Sequence, residues 1–136
     1  MRVVLDSNIL FSALISAKGP PDAIYRAWRA GRFEIVTSRW QLDEIRRASR
    51  YPKLKAVLQP AKIGTMINNL QRAVVLEHLK IEMETADAGD AFLLAMATDG
   101  RADYLVTGDK RSGLLQLGHI ERTRIVTPAT FCAEIF

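Results

Sequence analysis

A single cysteine, Cys132, is the whole thiol complement of this 136-residue chain, so no internal disulfide can form and a disulfide scaffold is excluded. A lone thiol leads to the expectation of a reducing, cytoplasmic setting. Histidine is nearly as scarce: His78 and His119, like Cys132, stand alone and show no zinc-ligand spacing. The two tryptophans, Trp28 and Trp40, could stack on bases, but core or interface packing is the commoner use of such residues. No apolar run approaches the ~20 residues needed to cross a bilayer. The opening Met1-Arg2-Val3-Val4-Leu5-Asp6 reaches a charge too soon for a secretory signal, so no membrane partner is expected. Internal repeats, low-complexity tracts and linkers are absent.

What is present is ordinary in amount. The length suits one domain over residues 1–136, and an apolar fraction of 49% with 25% charged residues excludes wholesale disorder. Lys and Arg total 19 against 15 Asp and Glu, a net charge of +4. That balance is compatible with a polyanionic partner without requiring one.

The pattern along the chain is α/β. Arg2 to Leu5 is apolar without polar alternation, as in a strand buried on both faces of a parallel sheet. Further strands are expected at Phe33–Thr37, Ala73–Leu76, Tyr104–Thr107 and Arg124–Thr127. Between them lie helical stretches: Ile9–Ile15, Asp22–Arg29, a helix capped by Ser38, Ala91–Ala97 and one beginning at Pro128. Tyr51 to Gln71 is weaker, interrupted by Pro52, Pro60 and Gly64. Strands alternating with helices imply a mostly parallel, doubly covered sheet with the first strand central, between those ending near Thr37 and Thr107.

Ligands of such sheets bind beyond the carboxyl ends of the strands. Asp6 follows the first strand and Asp109 the Tyr104–Thr107 strand, while Asp87 and Asp90 precede the Ala91 helix and Glu44 lies on the helix after Ser38. Carboxylates gathered at one point repel each other unless a cation sits among them, and an oxygen-only donor set suits Mg²⁺ or Mn²⁺. Each acid also has a plainer reading. Asp6 could only cap a helix, Asp87 and Asp90 could favour a helix start, Glu44 could pair with Arg47, and Asp109 could serve a turn. Convergence on one edge favours the metal reading.

LDSN at the first strand, Glu44, DAFLLAMA and ADYLVTGDK resemble, in order and separation, the PIN-domain nucleases, in particular VapC-like toxins of toxin–antitoxin operons. The resemblance runs from VVLDSNILFSAL through FEIVTS to RIVTPATF. It implies a three-layer α/β/α sandwich and an endoribonuclease that uses Mg²⁺ or Mn²⁺ and hydrolyses RNA with metal-activated water. It also implies a cognate antitoxin and a homodimer. Asp6, Glu44, Asp90 and Asp109 match the four acids of the family, with Asp87 a further candidate ligand. Asn8 matches the small polar residue that supports the first acid, and Thr107 the hydroxyl residue two before the fourth.

Setting aside Asp6, Glu44, Asp87, Asp90 and Asp109 leaves the remainder of the chain at +9, a basic surround for an acidic cleft. Arg46, Arg47, Arg50, Lys110 and Arg111 are the candidate RNA contacts, and solvated helix faces are the plainer reading of the same residues. An antitoxin segment is expected against Ala23–Trp28 and Trp40–Lys55. Two other functions fit less well: a catalytically inactive PIN-like module for RNA binding or assembly, and a haloacid-dehalogenase-type phosphatase. The four filled acid positions argue against the first. Asn8, where the second needs an Asp, argues against the phosphatase. A dinucleotide-binding domain is poorer still, since no GxGxxG follows the first strand.

Overall fold

The computed structural model describes residues 1–82, 85, 88–108 and 113–136. Asp87, Asp109, Lys110 and Arg111, singled out above, lie outside the described residues.

Strand β1 (Arg2–Leu5) lacks polar alternation over Val3–Leu5 because those residues are covered on both faces. It pairs in parallel with β2 (Glu34–Ser38) on one edge and with β4 (Tyr104–Val106) on the other. Val3, Val4 and Leu5 are accordingly at most 1% exposed. β2 continues in parallel to β3 (Val74–Leu76), and β4 to β6 (Thr123–Val126). β5 (His119–Ile120) closes the far edge, antiparallel to β6. The order β3-β2-β1-β4-β6-β5 makes β1 central between the two expected neighbours.

Alternation along the strands divides the core in two. Val3, Leu5, Ile35, Val106 and Val126 face one cluster. It is filled by α1 (Ser7–Ile15), α2 (Pro20–Arg29), α3 (Arg39–Ala48), α5 (Pro60–Gln71) and α8 (Pro128–Ile135). Val4, Val36, Leu105 and Ile125 face the other, covered by α6 (Ala88–Asp99) and the short α7 (Leu114–Leu117). The result is an α/β/α arrangement around a mostly parallel sheet. Ile24, Ala27 and Trp28 of α2 are all part of the first cluster.

The differences from the sequence reading have local causes. Pro52 and Pro60 begin helices, α4 (Pro52–Lys55) and α5, because a missing N–H costs nothing at the first helical position. Gly64 lies inside α5. α1 starts at Ser7, earlier than its apolar run, because Asp6 caps it. β5 and α7 are two and four residues long, too short to carry a hydrophobic period. α6 ends close against β2 at Gly100, where a Cβ would stand 2.6 Å from Cγ1 of Val36 and 2.8 Å from the Met96 carbonyl oxygen. Among the described residues, no helix is long and apolar enough to cross a membrane.

Candidate active site

The parallel strands end at one edge of the sheet, and the helices after β1 and β2 begin there. Asp6 is the N-cap of α1, its Oδ1 accepting the Asn8 backbone N–H at 3.2 Å. Its Oδ2 accepts the hydroxyl of Thr107, the residue after β4, at 2.9 Å. The Asp6 N–H donates to the Val106 carbonyl at 3.0 Å, so the backbone is tied to β4 as well. Capping and a place in the cleft are therefore not alternatives for Asp6. Asn8 supports it through its main chain.

Glu44 lies on α3, which Ser38 caps by accepting the Gln41 N–H at 3.1 Å. The Ser7 hydroxyl donates to Glu44 Oε1 at 2.6 Å, joining the start of α1 to α3. Asp90 is in the first turn of α6 and only 6% exposed. Asp6, Glu44 and Asp90 thus reach one cavity of about 320 Å³ from three separate chain segments. Ser7, Asn8 and Gly89 complete its polar wall, and Phe11, Trp40, Ala48, Tyr51 and Leu93 line the rest. Trp40 lies flat on Phe92, ring centroids 4.5 Å apart and planes 2° from parallel, so one indole face is covered by the fold.

The candidate basic residues separate. Arg47 lines the acid cavity. Arg46 pairs with Asp43 at 3.4 Å and, with Arg50 and Lys55, borders a different groove of about 340 Å³ floored by Leu58, Ile63 and Ile67. Ser7 and Gln41 are site residues that sequence reasoning missed. Ser7 stands inside the LDSN motif, and Gln41 shares the helical face of Leu42 and Ile45, where a buried amide is the signal.

Among the described residues, no three acid, histidine or cysteine groups are arranged to hold a metal ion by themselves. The donor chemistry nevertheless fits a hard cation. Carboxylates and hydroxyls line the cavity without sulfur or imidazole, and there is room for the waters that Mg²⁺ keeps.

No curated protein and no solved structure matches the chain. The family model described as PIN domain matches residues 2–111, a span that includes Asp6, Glu44, Asp90 and Thr107 and strands β1 to β4. PIN domains are in general metal-dependent nucleases. With the match covering well over half of its length, the chain belongs to the PIN-domain family.

Proposed function

We propose that the protein is a Mg²⁺- or Mn²⁺-dependent endoribonuclease and the toxin of a toxin–antitoxin pair. The observation that carries the nuclease reading is the meeting of Asp6, Glu44 and Asp90 in one cavity with Arg47 on its wall. Like charges gathered in this way favour a compensating cation. Asp6, Glu44 and Asp90 would hold it, directly or through waters, with Asp109 from the family pattern and Asp87 as a further candidate. A bound divalent cation supplies a lowered pKa for the attacking water and offsets charge developing on the phosphate.

The chain's own residues orient the reaction. Thr107 and the Asn8 N–H hold the two oxygens of Asp6, and Ser7 holds one oxygen of Glu44. Hydrogen bonds donated to a carboxylate favour its charged form, the form a cation needs. Arg47 offers a cation to the phosphodiester, and Arg46, Arg50, Lys110 and Arg111 serve flanking phosphates or a protein partner. The reading of residues 1–136 as one domain is supported by β6, which pairs with β4, and by α8, which packs on α2.

The antitoxin is assigned to Ala23–Trp28 and Trp40–Lys55. The groove edged by Arg46, Arg50 and Lys55 and floored by apolar side chains suits a segment carrying apolar and acidic residues. A cytoplasmic setting and a homodimer complete the reading. The test is incubation of purified protein with end-labelled RNA and with DNA of the same sequence in Mg²⁺ or Mn²⁺. Internal cleavage of RNA is expected. RNA that is bound and never cut would favour the inactive module instead. The toxin role is tested by co-expression with the product of an adjacent gene, where failure to form a complex counts against it and leaves the nuclease standing.

A further inference from the structure

A buried chain of hydrogen bonds leads from β2 to the acid cavity. Gln41 precedes Glu44 by three residues on α3, on the same side of the helix, and is fully buried. Its Nε2 donates to the Leu5 carbonyl at 2.7 Å and to Ser7 Oγ at 3.3 Å, while its Oε1 accepts the Thr37 hydroxyl at 2.7 Å. The amide has one workable orientation. The Leu5 carbonyl can only accept, so the nitrogen must face it, which turns the oxygen to Thr37. Both N–H groups are then committed, one to Leu5 and one to Ser7. Ser7 Oγ accepts from Gln41, so its single proton is directed to Glu44 Oε1, 2.6 Å away.

Stability alone does not call for an amide here. Leu42 and Ile45 fill neighbouring positions of the same helix, and a buried amide gives little net gain even when every group is paired. The network is directional, and it ends on the site. Leu5 is the residue before Asp6, and Ser7 is the one after it.

We propose that Gln41 is a positioning residue for the acid cavity. Through Ser7 it fixes the Glu44 carboxylate, and through the Leu5 carbonyl it fixes the backbone that presents Asp6. The assignment rests on the metal-nuclease reading and goes beyond it by naming what sets the geometry of two of its acids.

The test uses Ser7→Ala, Gln41→Met and the double variant. Mn²⁺ affinity is measured by calorimetric titration without RNA, beside kcat and KM for RNA cleavage and thermal unfolding without metal. Groups that orient metal ligands typically affect metal affinity or activity by about 10–100-fold. Each single variant is expected to weaken Mn²⁺ binding and lower kcat by about tenfold, with KM for RNA unchanged. The double variant is expected to lose less than the product of the two single losses, because the Gln41–Ser7 bond is cut by both substitutions. Should Gln41→Met fail to fold, Ser7→Ala decides by the same readouts. Folded variants that bind Mn²⁺ as tightly as wild type, or losses that multiply in the double variant, overturn the positioning role alone. Wild-type protein that neither binds Mn²⁺ nor cleaves RNA overturns the nuclease reading and this role with it.

Discussion

Thr107 donates its hydroxyl to Oδ2 of Asp6 over 2.9 Å, joining the carboxyl ends of β4 and β1 across 101 positions of sequence. With the Asn8 N–H on the other oxygen, the direction of this carboxylate is set by two adjacent strands and the first turn of α1. Thr107 is fully buried, and Thr107→Val keeps its shape while replacing the hydroxyl with a methyl group that cannot donate. Cleavage is expected to fall by about tenfold in Thr107→Val, and Thr107→Ser is expected to keep most of it. Measuring kcat beside the Tm of each variant checks this.

The arginines of α3 and of the turn that follows it are expected to divide by role. Arg47 lines the acid cavity, whereas Arg50 borders the apolar groove. Arg47→Ala should raise KM for RNA by about tenfold and flatten its dependence on salt, since one phosphate contact is lost. Arg50→Ala should change KM less. Steady-state cleavage over a range of ionic strength separates the two.

Gly100, directly after α6, packs against Val36 of β2. In Gly100→Ala the new methyl meets Cγ1 of Val36 and the Met96 carbonyl oxygen at separations below 3.0 Å. A stability loss of about 1–3 kcal/mol is expected from this overpacking, read from the urea midpoint. The acid cavity lies at the other end of the sheet layer from this turn, so metal binding by the folded fraction should be unchanged.

Asp103 makes stability depend on acid. The Arg2 backbone N–H, at 2.8 Å, is the main reason that its carboxyl titrates below the ordinary value of 3.8; burial opposes this, and Arg122 at 2.6 Å adds to it. Because the folded pKa is depressed, the contribution is fully present above the unfolded value and is lost as pH falls through the lower folded one. Asp103→Asn should therefore be less stable near neutrality and lose less on acidification below about pH 4. Urea midpoints across that range measure it.

Much of the fold was legible because of where its strands sit. Val3-Val4-Leu5 is apolar throughout only because both faces are covered, and that pattern marks a parallel sheet. Pro52 and Pro60 misled, since a proline reads as a break in a pattern and as a beginning in a structure. At the site, Asp6, Glu44 and Asp90 could be singled out because strand ends and helix starts are visible in sequence. The Ser7–Glu44 and Gln41–Ser7 bonds were not, because they pair side chains 37 and 34 positions apart. Nor could a count of arginines sort those of α3 and the turn after it. Arg46 and Arg50 border the same groove, while Arg47, three beyond Glu44, turns to the cavity.

The metal-nuclease reading meets its most direct test in RNA cleavage by purified protein in Mg²⁺ or Mn²⁺ against EDTA, with wild type beside Asp6→Asn and Asp90→Asn. Asn caps a helix about as well as Asp, so Asp6→Asn should keep the fold, and relieved repulsion should raise its Tm without metal. Wild-type cleavage is expected to vanish in EDTA, and both variants are expected to lose activity by orders of magnitude. Cleavage that survives EDTA, or that both substitutions leave intact, would contradict the reading and return Asp6 to the role of a helix cap.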